Sequence, residues 1–153
     1  MATPLQHREY VIDANVPFSF LISGRESYLV FLADNQVFTT DFVFEEIQIH
    51  QEVIVQRTKL LLEKFQKFAL GLFERITVVP NLLISTQNYY RAFILCRDID
   101  PKGTDCAAFS LALDHSLLTR DEPLAVGLRA KGFTNIVLRD ELFAQTDDSD
   151  STN

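Results

Sequence analysis

Tyr10-Val11-Ile12-Asp13-Ala14-Asn15-Val16 decides how this chain is read. It is a short apolar run that ends in an acid. Such a run, bounded by a polar break, predicts a buried strand of a parallel sheet with both faces covered. Ligand sites in open α/β sheets lie outside the carboxyl ends of such strands. Asp13 therefore stands where a site is expected. A second acid has the same placement in Ser116-Leu117-Leu118-Thr119-Arg120-Asp121, and a third, Glu46, falls just inside a helical stretch. These carboxylates are expected to meet and hold a divalent metal.

Working outward, the first strand is placed at 10–14. Pro17 suits the first turn of a helix over 16–23, where its missing N–H costs nothing. A second helix is expected over 26–33 and a strand over 37–39. No Gly or Pro occurs from Asp41 to Leu70, and Ile47, Ile54, Leu61, Phe65, Phe68 and Leu72 share one stripe of an amphipathic helix. The β-branched run Val53-Ile54-Val55 predicts a break near Arg57-Thr58, with Thr58 capping a second helix that ends by Glu74. Ile76 to Val79 is a strand stopped by Pro80. Helices follow over 87–98, from a Thr104 cap to Asp114, and over 122–131. Strands follow at 117–119 and 135–138. Short strands alternating with helices predict α/β architecture: a three-layer α/β/α sandwich on a parallel, about five-stranded sheet.

Composition narrows the function classes. The chain has 153 residues, 47% of them hydrophobic, with thirteen Phe, enough for one domain with one core. That domain is placed at 1–144, before an acidic tail at 145–153 expected to be disordered. The net charge is −7, and five acids with no Lys or Arg fill the last fourteen residues. The net charge argues against a simple electrostatic nucleic-acid binder, although outside that end the body is near neutral. Cys96 and Cys106 have no zinc or CxxC spacing and read as buried thiols of a reducing compartment. No leader and no apolar run of about 18 residues is visible, so a soluble cytoplasmic protein without membrane contact is expected.

Other acid-based chemistries fit poorly. A haloacid-dehalogenase phosphatase wants Asp-x-Asp, but Asn15 occupies the second position. A response-regulator receiver wants an acidic pair early, which Asp13 lacks. No Walker A motif and no GxGxxG occurs. What remains is Asp13-x-Asn15, then Phe44-Glu45-Glu46-Ile47, then Asp98-Ile99-Asp100-Pro101-Lys102, then Ala108-Phe109-Ser110-Leu111-Ala112-Leu113, then Leu118-Thr119-Arg120-Asp121-Glu122-Pro123-Leu124. This ordered set, over about residues 9–138, resembles the PIN domain, the fold of VapC-type toxins and related metal-dependent ribonucleases.

The resemblance implies three or four carboxylates around Mg²⁺ (or Mn²⁺) and cleavage of RNA. Asp13, Glu46 and Asp121 match its acidic positions, and Asn15 and Thr119 its supporting polar positions. The family usually has an acid five residues before an Ala of the Ala-rich helix. Counting back from Ala108 gives Gly103, so that acid is expected to be missing and activity reduced. Asp105 is the expected substitute as a catalytic and metal-binding residue, with Asp100 behind it. The chemistry asks for such a set independently, because a divalent ion activates water and offsets charge on a phosphate, and hard oxygen ligands suit Mg²⁺ and Mn²⁺. Arg120 could contact a phosphate. The expected function is a metal-dependent endoribonuclease, the toxin of a toxin–antitoxin pair, with RNA as substrate, a cognate antitoxin as partner and a homodimer as an open assembly. The alternatives are a catalytically weak PIN-like RNA-binding or protein-interaction module, and another Mg²⁺ phosphohydrolase.

Overall fold

The computed structural model describes residues 8–143. The tail expected at 145–153 lies outside them. Five strands, β1 (Glu9–Ile12), β2 (Gln36–Thr40), β3 (Ile76–Val79), β4 (Ser116–Thr119) and β5 (Ile136–Leu138), form one sheet in the order β3-β2-β1-β4-β5. Every pairing is parallel, with Val11 opposite Phe38 on one side and Leu117 on the other. The central strands are apolar without alternation because both faces are covered. Val11, Ile12, Leu117 and Leu118 are all buried.

Eight α-helices connect or flank the strands among the described residues: α1 (Asn15–Ser23), α2 (Glu26–Asp34), α3 (Asp41–Ile49), α4 (Gln51–Arg57), α5 (Leu62–Glu74), α6 (Thr86–Cys96), α7 (Thr104–Leu113) and α8 (Glu122–Ala130). Residues 139–143 are also helical. α7 lies on β1, β2 and β4 and packs against α6, α5 lies on β3, and α8 on β5. The result is the expected α/β/α arrangement. Phe143 is buried and closes an aromatic cluster edge-on to Phe20, Tyr28 and Phe31, so the domain's core reaches at least this far along the chain.

Two local expectations fail for identifiable reasons. The long amphipathic stretch breaks at His50 as well as after Arg57, and α5 starts at Leu62 rather than after a Thr58 cap. Thr58 is used elsewhere. Its hydroxyl donates to the carbonyl of Leu21 at 2.8 Å and accepts from the Leu60 N–H at 3.3 Å, tying the break to α1. Leu61, placed on the buried stripe, precedes α5 and is 76% exposed. Gly24 makes this junction feasible: it ends α1 at φ +64°, and a Cβ there would lie 2.5 Å from Leu60 Cγ. Thr58→Val is therefore expected to cost about 1–2 kcal/mol, the size of a lost partly buried hydrogen bond. Urea denaturation measures this, and unchanged stability would show that the hydroxyl is dispensable. Second, Thr104 opens α7 but does not cap it; Gly103 holds the cap position, with no side-chain cap bond.

Candidate active site

The strand order puts the site residues at one edge. β1 is flanked by β2 and β4, so the chain leaves the sheet in opposite directions on either side of it. Such a switch point leaves a crevice at the carboxyl ends. Asp13 emerges there as β1 ends, its N–H donating to Leu118 O at 3.1 Å. The Thr39 hydroxyl donates to Ile12 O at 3.2 Å and fastens the end of β2 beside it.

The Asp13 carboxylate is enclosed by donors. Oδ1 accepts from the Ala14 N–H at 2.8 Å and from the Cys106 thiol at 3.7 Å. Oδ2 accepts from Thr119 Oγ1 at 3.2 Å and Asn15 Nδ2 at 3.3 Å. Burial nevertheless pushes this carboxyl above its ordinary pKa, and the negative charge of Glu46 adds to the rise. Asn15 and Thr119, expected as supporting polar residues, both contact Asp13. They are themselves locked: Asn15 Oδ1 accepts from the Arg120 N–H at 3.0 Å, and Thr119 Oγ1 accepts from the Asp121 N–H at 3.1 Å.

The other predicted acids fall at different depths. Asp121 shares Thr119 with Asp13 and also caps α8, accepting from Leu124 N at 3.0 Å. Capping α8 through Oδ1 is compatible with the role of a site acid. Glu46 is exposed on α3, near enough for its charge to act on Asp13 and Cys106. Asp105, in the first turn of α7, is partly buried; burial and then the charge of Asp41 raise its pKa. Asp100 is elsewhere. It accepts from Lys102 N at 3.1 Å, capping a 3-10 turn over Pro101–Gly103, and its charge acts on Cys96. Of the two expected stand-ins, Asp105 is the one whose charge acts on Cys106, the thiol that touches Asp13.

Gly103 corrects the count that made it a missing acid. It is buried, and a Cβ there would lie 2.9 Å from Leu124 Cδ2. The position faces α8, so an acid at this point would enter the core. Among the described residues, no three His, Cys, Asp or Glu side chains come close enough together to hold a metal ion.

Sequence reasoning missed four residues here. Asp41 follows β2, accepts from the Asn81 N–H at 3.1 Å and acts electrostatically on Asp105. The Tyr89 hydroxyl donates to Asn81 Oδ1, and its pKa is pushed up to about 12, by burial first and then by Asp105, Asp41 and Cys106. Cys106, read as a small core hydrophobe, is buried but touches Asp13, and burial together with the Asp13 charge holds the thiol well above its ordinary pKa. For Asp41 the sequence showed an acid directly after a strand, but not that this strand lies next to β1. For Cys106, Asn81 and Tyr89 nothing in the sequence pointed to the site.

Residues 11–141 match the family model of the PIN domain. The chain belongs to the PIN domain family. Members of this family are generally nucleases that use divalent metal. The PIN fold is also seen in a solved chain from the crystal structure of VapBC2 from Rickettsia felis bound to a DNA fragment from their promoter. That match has a TM-score of 0.55 and 16% identity, and spans 86% of this chain and 97% of that one. At such identity the likeness concerns the fold. No curated protein matches the sequence at a significant level.

Proposed function

We propose that this PIN domain is an endoribonuclease dependent on Mg²⁺ or Mn²⁺ that serves as the toxin of a toxin–antitoxin pair. The observation that carries the reading is Asp13: a desolvated carboxylate at the switch point of a parallel sheet, under the charge of Glu46 and joined through Thr119 to Asp121. The donor set suits a hard cation. Mg²⁺ retains several waters and binds through one or two carboxylates together with substrate phosphates, so a closed cage is not required. Of Asp13, Glu46, Asp105 and Asp121, one or two would hold it directly and the others through its waters. A bound divalent ion supplies an activated water and offsets charge on the phosphate.

The chain's own residues do the rest. Asn15 and Thr119 orient Asp13 through Oδ2, and Thr119 positions the backbone that carries Asp121. Arg120 is exposed next to Asp121 and available to a substrate phosphate. RNA as substrate rests on the resemblance of the ordered acids. An antitoxin partner is supported by the structural likeness to a chain of VapBC2. An apolar groove between α3, α4 and α5, lined by Phe44, Ile47, Ile54, Phe65 and Phe73, would receive a hydrophobic segment of that partner. No helix among the described residues is long and apolar enough to cross a membrane, and the cytoplasm is the proposed location.

The test is a Mn²⁺ and Mg²⁺ titration with a panel of labelled RNAs, run alongside thermal melting. Binding to the native state alone stabilises by about 2.7 kcal/mol at a hundredfold excess over Kd. In a domain of this size that corresponds to a rise of roughly 5–10 °C in Tm. The rise should vanish in Asp13→Asn and Asp121→Asn. Metal binding without cleavage of any RNA would favour the alternative, a PIN-like binding module. An unchanged melting curve at millimolar metal would overturn the metal-dependent reading.

A further inference from the structure

The Asp13 carboxylate is fully supplied with donors. An ionised carboxylate offers about four lone-pair positions, two on each oxygen. Here Ala14 N and Cys106 Sγ serve Oδ1, while Asn15 Nδ2 and Thr119 Oγ1 serve Oδ2. A cation that binds Asp13 has to take one of these positions, so one donor must yield.

The four donors are unequally free to do so. Ala14 N belongs to the main chain where β1 passes into α1. Asn15 is held by the Arg120 N–H at 3.0 Å, and Thr119 by the Asp121 N–H at 3.1 Å. Moving either would disturb the loop that carries Asp121. Cys106 is the weak member. Its S–H is a poor donor at 3.7 Å, on a side chain with a single rotatable bond. It is also uncharged, so it satisfies Asp13 without offsetting the repulsion from Glu46.

We propose that Cys106 is a positioning residue that sets the divalent-metal affinity of this site, because its S–H fills the lone pair of Asp13 Oδ1 that an incoming ion has to take. The inference rests on the metal-dependent reading above. The thiol acts as a placeholder. It keeps the buried carboxylate hydrogen-bonded before metal enters and swings aside when it does. The energy of that hydrogen bond is subtracted from metal binding.

Isothermal titration of the whole chain with Mn²⁺ tests this without reference to cleavage. Cys106→Ala removes the donor, and Cys106→Val removes it while filling the space, in case the smaller side chain compromises folding. Both should bind Mn²⁺ about fivefold or more tightly than the wild type, the size of an ordinary net hydrogen bond of about 1 kcal/mol, as suits a poor donor. Cys106→Ser restores a donor and should return the affinity to that of the wild type or weaker. A merely structural role would lower Tm in these variants and leave the Mn²⁺ affinity unmoved, which would overturn the inference. Weaker Mn²⁺ binding by both Ala and Val variants would also overturn it, by showing that the sulfur is a ligand. If wild type and variants bind Mn²⁺ equally, only the role of Cys106 fails. If none of them binds Mn²⁺, the metal-dependent function fails with it.

Discussion

Asp13→Asn is expected to lower metal-dependent cleavage by at least about a hundredfold while leaving the protein as stable as the wild type, or more so, when metal is withheld. The loss follows from the several kcal/mol that a correctly held metal contributes to phosphate hydrolysis, each 1.36 kcal/mol being a factor of ten. The stability follows from burial. The Asp13 carboxyl is raised above its ordinary value of 3.8, chiefly by desolvation, so the folded state holds this proton more tightly than the unfolded state does. Stability therefore falls as pH rises from near 4 through the raised value. Asparagine removes that penalty. Its advantage should be present at pH 7.5 and gone below about pH 4, where Asp13 is protonated in both states. Guanidinium denaturation with a chelator at the two pH values measures the difference. Full cleavage by a folded, metal-loaded variant would remove Asp13 from the chemistry. A large loss of stability at pH 7.5 would show that the four hydrogen bonds outweigh desolvation.

Gly103→Asp should destabilise the fold by about 2–4 kcal/mol and leave metal affinity no tighter. Counting along the sequence makes this position a missing acid, a reading under which the substitution would restore a metal ligand. The packing reverses that expectation. A Cβ would lie 2.9 Å from Leu124 Cδ2 and 3.2 Å from Cδ1, and Leu124 is itself buried in α8. The substitution overpacks the contact and takes a carboxylate out of water. Asp105→Asn makes the contrast: it should weaken Mn²⁺ binding with little change in stability, because Asp105 is only partly buried and lies under the charge of Asp41. Calorimetric titration and urea denaturation of both variants decide the matter. Tighter Mn²⁺ binding by a fully stable Gly103→Asp protein would show that position 103 reaches the site after all.

The elements of this fold were legible because they are written in local patterns. Apolar runs that end in polar residues mark Tyr10–Ile12 and Leu117–Thr119 as strands, and Gly, Pro and β-branched residues punctuate the helices. The alternation of strands and helices specified the parallel α/β class. The contribution of Asn15 and Thr119 was also legible, through the resemblance of Asp13-x-Asn15 and Thr119-Arg120-Asp121 to the PIN pattern. Other features depend on contacts between distant residues. His50 breaks a helix whose propensity is continuous, and Thr58 leaves its expected cap because Leu21 O, brought from α1, offers its hydroxyl a partner. Counting along the chain could not show which way position 103 faces, because 3-10 and α-helical turns rotate side chains differently and Leu124 arrives from another helix. Only the strand order places Asp41 beside the same crevice, and only packing of α7 on β1 turns Cys106 from a core thiol into a donor to Asp13. Local sequence thus determined which segments are strand or helix and which acids end them. Tertiary structure decided which side chains share the crevice, because a side chain's direction is set by partners that pack against it from far along the chain.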